Sequence, residues 1–162
     1  FKYQAFDRRK IEAKFNGGDV SSDGGIMLLR QVDKRLGLTE ALSKTIRDSR
    51  NQELIVHEQV DLVRQRIYGI GLGYEDLNDH DTLRKDLAWQ TAIERDEELA
   101  SSPTLCRLEK RADRAAIVEM HKIFVEQFIT SFKEVPKKLI LDFDFLTLRF
   151  FSVSSGPKTL KN

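Results

Sequence analysis

Ile117, Met120, Phe124, Phe128 and Phe132 recur at intervals of three and four, and Ile123, Val125 and Ile129 widen the stripe they make. Side chains spaced in this way share one face of a helix, and a face this broad belongs to a helix that faces a core. The spacing predicts such a helix over 113–132. Ser101-Ser102-Pro103-Thr104 marks the start of another, with Ser as N-cap and Pro at the first helical position. Val56, Val60, Val63, Ile67 and Ile70 predict a third, beginning near residue 54. Ile26, Leu29, Val32 and Leu36 predict a helix that Gly37 stops, followed by a short one over 40–46 capped by Thr39. Asp79 or Asp81 would cap a helix over 82–94, on which Trp89 is a packing or interface anchor. Strand signals are confined to the ends: alternation over 11–15 before the turn Asn16-Gly17-Gly18-Asp19, and the run that follows Pro136. The expected class is therefore mainly α within α+β, a helical region with a short N-terminal strand or hairpin and a C-terminal strand.

Charge enters locally. Lys and Arg total 27 against 26 acids, so the net charge of +1 neither favours nor excludes a nucleic-acid partner. Arg107, Lys110, Arg111 and Arg114, at spacings of three, four and seven, place cations on one helix face, which suits a phosphate backbone. The competing account is a solvated basic face balanced by Glu109 and Asp113. Two successive helices joined by a polar connection over 95–102 are compatible with a helix-turn-helix, although that connection is long for the tight form. Gly69, Gly71 and Gly73 close a helix instead of following a strand, so helix packing or termination explains them better than a dinucleotide loop.

A chain of 162 residues with 40% hydrophobic residues supports one domain or one and a half. Its single cysteine, Cys106, excludes an internal disulfide framework and fits a reducing cytoplasm. No apolar run approaches membrane-spanning length.

Two clusters of acids could bear metal chemistry. In an extended strand Asp142 and Asp144 share a face with Ile140, and their mutual repulsion would be relieved by a divalent cation such as magnesium. The bland alternative is a strand that solvates its end. Glu75, Asp76, Asp79 and Asp81 with His80 also have ligand chemistry, but helix capping accounts for them better.

Asp19-Val20-Ser21-Ser22-Asp23-Gly24-Gly25, Gly73-Tyr74-Glu75-Asp76-Leu77-Asn78-Asp79-His80-Asp81, Ser102-Pro103-Thr104-Leu105 and Leu141-Asp142-Phe143-Asp144 occur in one order and spacing that resembles bacterial insertion-sequence transposases of the DDE type. The resemblance runs from about Phe15 to Asp144. It implies an RNase H-like catalytic domain begun by the C-terminal strand, with Asp144 as the first catalytic acid and Asp142 beside it as a metal ligand. It further implies magnesium, a partner in transposon-end DNA, and DNA cleavage and strand transfer by two-metal phosphoryl transfer in the full-length protein. On this basis residues 1–136 form a helical DNA-binding or assembly region, with self-association left open. Residues 137–162 form the first catalytic strand and a divergent tail. After Asp144 the chain reads Phe145-Leu146-Thr147-Leu148-Arg149 and carries no further acid, so a truncated, inactive fragment is expected, with a frameshift as one source of its tail. A non-catalytic helical DNA-binding or protein-assembly module is the alternative.

Overall fold

The computed structural model describes residues 2–13 and 23–140. The chain divides into two units, Phe1–Thr130 and Ser131–Asn162, and in the second the described residues, 131–140, carry no helix or strand. Asp142, Asp144 and the turn over 16–19 lie outside the described residues, as does the expected C-terminal strand from residue 141 on; its first residues, 137–140, are described and form no strand.

The first unit is helical: α1 Ile26–Leu36, α2 Leu38–Thr45, α3 Gln59–Gly71, α4 His80–Leu83, α5 Leu87–Ile93, α6 Ser102–Arg111 and α7 Arg114–Thr130. Two 3-10 turns, Gln52–Leu54 and Leu77–Asp79, precede α3 and α4. Among the described residues a hairpin precedes the expected turn, with antiparallel bridges Lys2 to Glu12 and Phe6 to Arg9, and Asp7 at its own turn with φ of 45°.

The Gly37 stop is as expected, and several other boundaries follow from caps that local pattern did not single out. Gly37 ends α1 in the left-handed conformation at φ 63° and serves at once as N-cap of α2. Thr39 therefore lies inside α2, where its backbone N–H and its hydroxyl both donate to the Asp33 carboxylate at 2.9 and 2.5 Å. Tyr68 on α3 donates to the same carboxylate at 3.1 Å, so one buried acid ties α1, α2 and α3 together. The single helix expected over 82–94 is two, because Asp86 accepts from the N–H groups of Ala88 and Trp89 and starts α5 afresh. The helix expected from residue 54 begins only at Gln59.

The core has two lobes. Leu42, Ile46, Leu62, Val63, Ala100, Leu105, Leu108 and Ala116 form one; Ile26, Tyr68, Leu83, Trp89, Ala92, Ile93 and Leu99 form the other, and Ile67 packs against both. Helix α7 corrects the expectation of a core helix. Its buried side is Ala116, with Met120 and Ile123 packed partly against the first lobe, and Gln127 donates to the Leu36 carbonyl. Ile117, Phe124 and Phe128 lie on another face and are exposed, as are Val118, Val125 and Ile129. Apolar residues surround much of this helix, and among the described elements its main contact is with α2.

Candidate nucleic-acid interface

Helix α6 is placed from both ends. Ser101 is its N-cap with Pro103 in the first turn, and the Ser102 N–H is met by Asp81 at 2.9 Å. Asp81 thus caps α6, twenty-one residues away, instead of the helix that follows it in sequence. Leu105 and Leu108 anchor the inner face, and α6 packs on α3 and on the turn Leu77–Asp79. It does not form the tight helix-turn-helix with α5.

The four cations do not share one helix. Arg107, Lys110 and Arg111 belong to α6, which ends at Arg111, while Arg114 opens α7. The break has a cause: Asp113 accepts from the Ala116 N–H at 2.8 Å and restarts the helix. Arg111 turns inward and donates to Gln59 at 3.3 Å, and burial, with Arg50 nearby, lowers its pKa. Arg107, Lys110 and Arg114 are exposed, and among the described residues none of the three makes an ion pair. Arg107 donates only to the Thr104 hydroxyl, at 3.1 Å.

The acids that would balance this face are engaged elsewhere. Glu109 receives the Nε of Arg66 at 2.6 Å, and Arg66 is held by the carbonyls of Tyr74 and Glu75. Asp113 is the cap of α7. The pairing of Glu109 with Arg66 spans 43 positions and has no local signature, so sequence reasoning could not find it. It also missed the groove beside Arg107, of about 560 Å³, which Arg50, Leu54, Val56, His57 and Thr104 line from the 47–58 loop and α6. Arg50 there is neutralised by a two-pronged pair with Asp48, whose hydrogen bonds from Arg50 hold that carboxyl down at about 2.

The description Transposase DDE domain group 1 matches residues 3–155. The chain belongs to this family. Neither a curated protein nor a solved structure matches it. A role in transposition, a DNA partner and the general use of divalent metal ions accompany membership of the transposase DDE family. The match begins before Phe15 and continues past Asp144.

Among the motif residues that lie within the described chain, Asp23, Tyr74 and His80 pack around Trp89. Asp23 accepts from Tyr74 Oη and from Trp89 Nε1, both at 2.9 Å. Tyr74 and His80 each meet the Trp89 ring edge-on, with centroids 5.9 and 5.8 Å away. His80 is fully buried, and burial first, then Arg66, lowers its pKa to about 4. Gly69 is needed beneath it, since a Cβ there would lie 2.8 Å from the imidazole. Gly73, at φ 89°, ends the segment, so close packing and termination do account for these glycines.

The fit of a metal to this part of the chain is poor. Asp76 caps the turn Leu77–Asp79, Asp81 caps α6, and no group of three potential ligands occurs among the described residues. No described helix is long and apolar enough to cross a membrane.

Proposed function

We propose that the helical region, residues 1–136, holds transposon-end DNA through Arg107, Lys110 and Arg114, with Arg111 fixing α6 against α3, and delivers it to a catalytic segment that begins at residue 137. The observation that carries this reading is the engagement of Glu109 by Arg66 and of Asp113 as a cap, with three exposed cations that make no ion pair among the described residues. Phosphate contacts of this kind position DNA without specifying its sequence.

Within the same reading Asp144 is the catalytic acid and Asp142 its companion metal ligand, in a protein that cleaves and joins DNA in the cytoplasm. Magnesium would stabilise the attacking and leaving oxygens of phosphoryl transfer. Residues 1–162 supply one such acid pair, and a hydrated magnesium normally needs further ligands, so this stretch alone is expected not to cleave DNA. A DNA-binding or assembly role without catalysis is favoured by a separate observation, the apolar side chains that α7 leaves exposed, which suit a protein partner or a second copy.

The test is fluorescence anisotropy of a labelled duplex over a salt series. Replacing Arg107, Lys110 and Arg114 together by Ala should weaken binding and reduce the slope of log affinity against log salt by about 2 to 3, near 0.9 for each lost phosphate contact. An unchanged affinity and slope would remove the interface.

A further inference from the structure

A second basic site lies on α1, away from the α6 cations in sequence and built differently. Arg30, Gln31, Lys34 and Arg35, with Gln4 of the hairpin, line a cleft of about 230 Å³. At about 30 Å³ for each water, that is room for about seven, enough for a tetrahedral oxyanion with part of its hydration. Arg30 is its floor and is 2% exposed. One Nη donates to the Gln4 carbonyl and the other to Glu94, each at 2.8 Å, while the Nε is buried without a hydrogen-bond partner.

An arginine buried this deeply loses most of its hydration, and a donor left unsatisfied there carries a desolvation penalty. Lys34 also pairs with Glu94. That carboxylate is brought between the two cations by a non-glycine residue in the left-handed region, at φ 70°. Arg35 is exposed and has no ion pair among the described residues. Complementing the α1 carbonyl end is the ordinary role for cations in a last turn, and that end contributes about half a negative charge. Three cations against one carboxylate and half a charge still leave the cleft positive by more than one unit. The amides of Gln4 and Gln31 add donors that are indifferent to charge.

We propose that this cleft is an oxyanion site that takes a phosphate group, with the buried Arg30 as its fixed donor and Lys34, Arg35 and Gln31 at its rim. The phosphate comes either from free inorganic phosphate or from the backbone of bound DNA; the second source rests on the DNA reading above, and the first does not.

Two arms separate the sources. In the first, the Arg30 Nε–H resonance of the full chain is followed by ¹H–¹⁵N spectroscopy as inorganic phosphate is added, with chloride at matched ionic strength as control. A saturable shift with phosphate alone is expected, weakened about tenfold or more in Gln31→Glu and Arg35→Glu, which alter only exposed positions and should leave the melting temperature unchanged. In the second, duplex binding is measured for Arg35→Ala beside Lys110→Ala. A backbone phosphate in the cleft predicts a several-fold weaker affinity for Arg35→Ala and a salt slope lower by about one.

A phosphate shift without an effect on DNA assigns the cleft to the free anion, and a DNA effect without a phosphate shift assigns it to the backbone. Neither effect, in variants that remain folded, overturns the proposal. If Lys110→Ala weakens DNA binding while neither Arg35 variant changes anything, the cleft fails and the α6 interface stands. If only the α1 variants respond, the reverse holds.

Discussion

Trp89 and Phe124 are both large aromatic side chains on helices with apolar stripes, yet Trp89 is 0% exposed and Phe124 is 48% exposed. Helix α5, which carries Trp89, has seven residues; α7, which carries Phe124, has seventeen. Apolar content does not separate them, since more than half of the residues in each helix are apolar. The difference lies in what the rest of the chain aims at each. Around Trp89 converge Asp23 from the turn before α1, Tyr74 from the loop after α3, and His80 from α4, and the indole N–H has its acceptor. Around Phe124 the described chain offers α2 on the adjoining face only. A hydrophobic period states which residues can share an environment. Elements distant in sequence decide whether that environment is dry.

The sharpest way to break this comparison is Trp89→Ala. Truncating a fully buried aromatic costs about 3–5 kcal/mol, and here it also strips Asp23 of one of its donors. Against a typical domain stability of about 5–15 kcal/mol, the variant should be marginal. Urea denaturation followed by circular dichroism, which does not depend on the lost indole, measures it. A loss below about 1 kcal/mol would show that the Trp89 lobe does not hold the domain together.

His80 tests the same lobe by pH. The Gln65 amide is oriented by its exchange with Ala100, whose N–H it accepts and whose carbonyl it meets at 2.9 Å, so its nitrogen faces His80 Nδ1. That contact assigns Nδ1 as the acceptor and puts the proton on Nε2 of a neutral ring, as burial also demands. A histidine whose pKa falls from 6.5 to about 4 on folding binds its proton more readily in the unfolded chain. Its contribution is fully present above about pH 6.5 and is lost as pH falls toward 4. The shift corresponds to on the order of 3 kcal/mol at most. Denaturation at pH 7.5, 6 and 5 should show wild type losing stability faster than His80→Gln. Parallel pH profiles would remove His80 as the source. Asp48, held at about 2 by Arg50, acts only below about pH 4 and does not confuse the window.

The fold was legible where the determinants are local and obscure where they are remote. The Gly37 stop and the start of α6 after Ser101 depend on residues next to the ends they close and stand where expected, although Pro103 is second in the helix instead of first and Ser101 makes no side-chain capping hydrogen bond. Asp81 as the cap of α6, Arg66 against Glu109, and Arg30 with Glu94 join positions 21, 43 and 64 apart, and nothing in the local pattern marks them. The site was legible in the same measure. The exposed cations Arg107 and Lys110 follow from helical spacing, whereas the inward turn of Arg111 follows from Gln59 on another helix. The family resemblance adds a different lesson. The most specific run, from Gly73 to Asp81, contributes a Tyr74 hydrogen bond, an Asp76 turn cap, a buried His80 and an Asp81 helix cap. Its described contacts belong to the packing of a helical region, while the acids proposed for chemistry, Asp142 and Asp144, lie elsewhere in the chain.

The smallest expected effect sharpens the comparison from the side of α7. Val125 and Ile129 are 56% and 62% exposed, so replacing both by Ser removes little buried surface and should change stability by no more than about 0.5 kcal/mol at each position. Helix propensity moves little, since Val, Ile and Ser are close on that scale. The measurement should be made at two protein concentrations a hundredfold apart. If the face is open to water, the double variant and wild type unfold together, and neither depends on concentration. If the face is covered in solution by a second copy, wild type gains stability as concentration rises, because association favours the folded form by mass action, and the double variant loses that gain. A cost of 2 kcal/mol or more that is independent of concentration would mean that the face is covered within one molecule. Burial of α7 would then match that of Trp89, and the distinction between the two helices would fall.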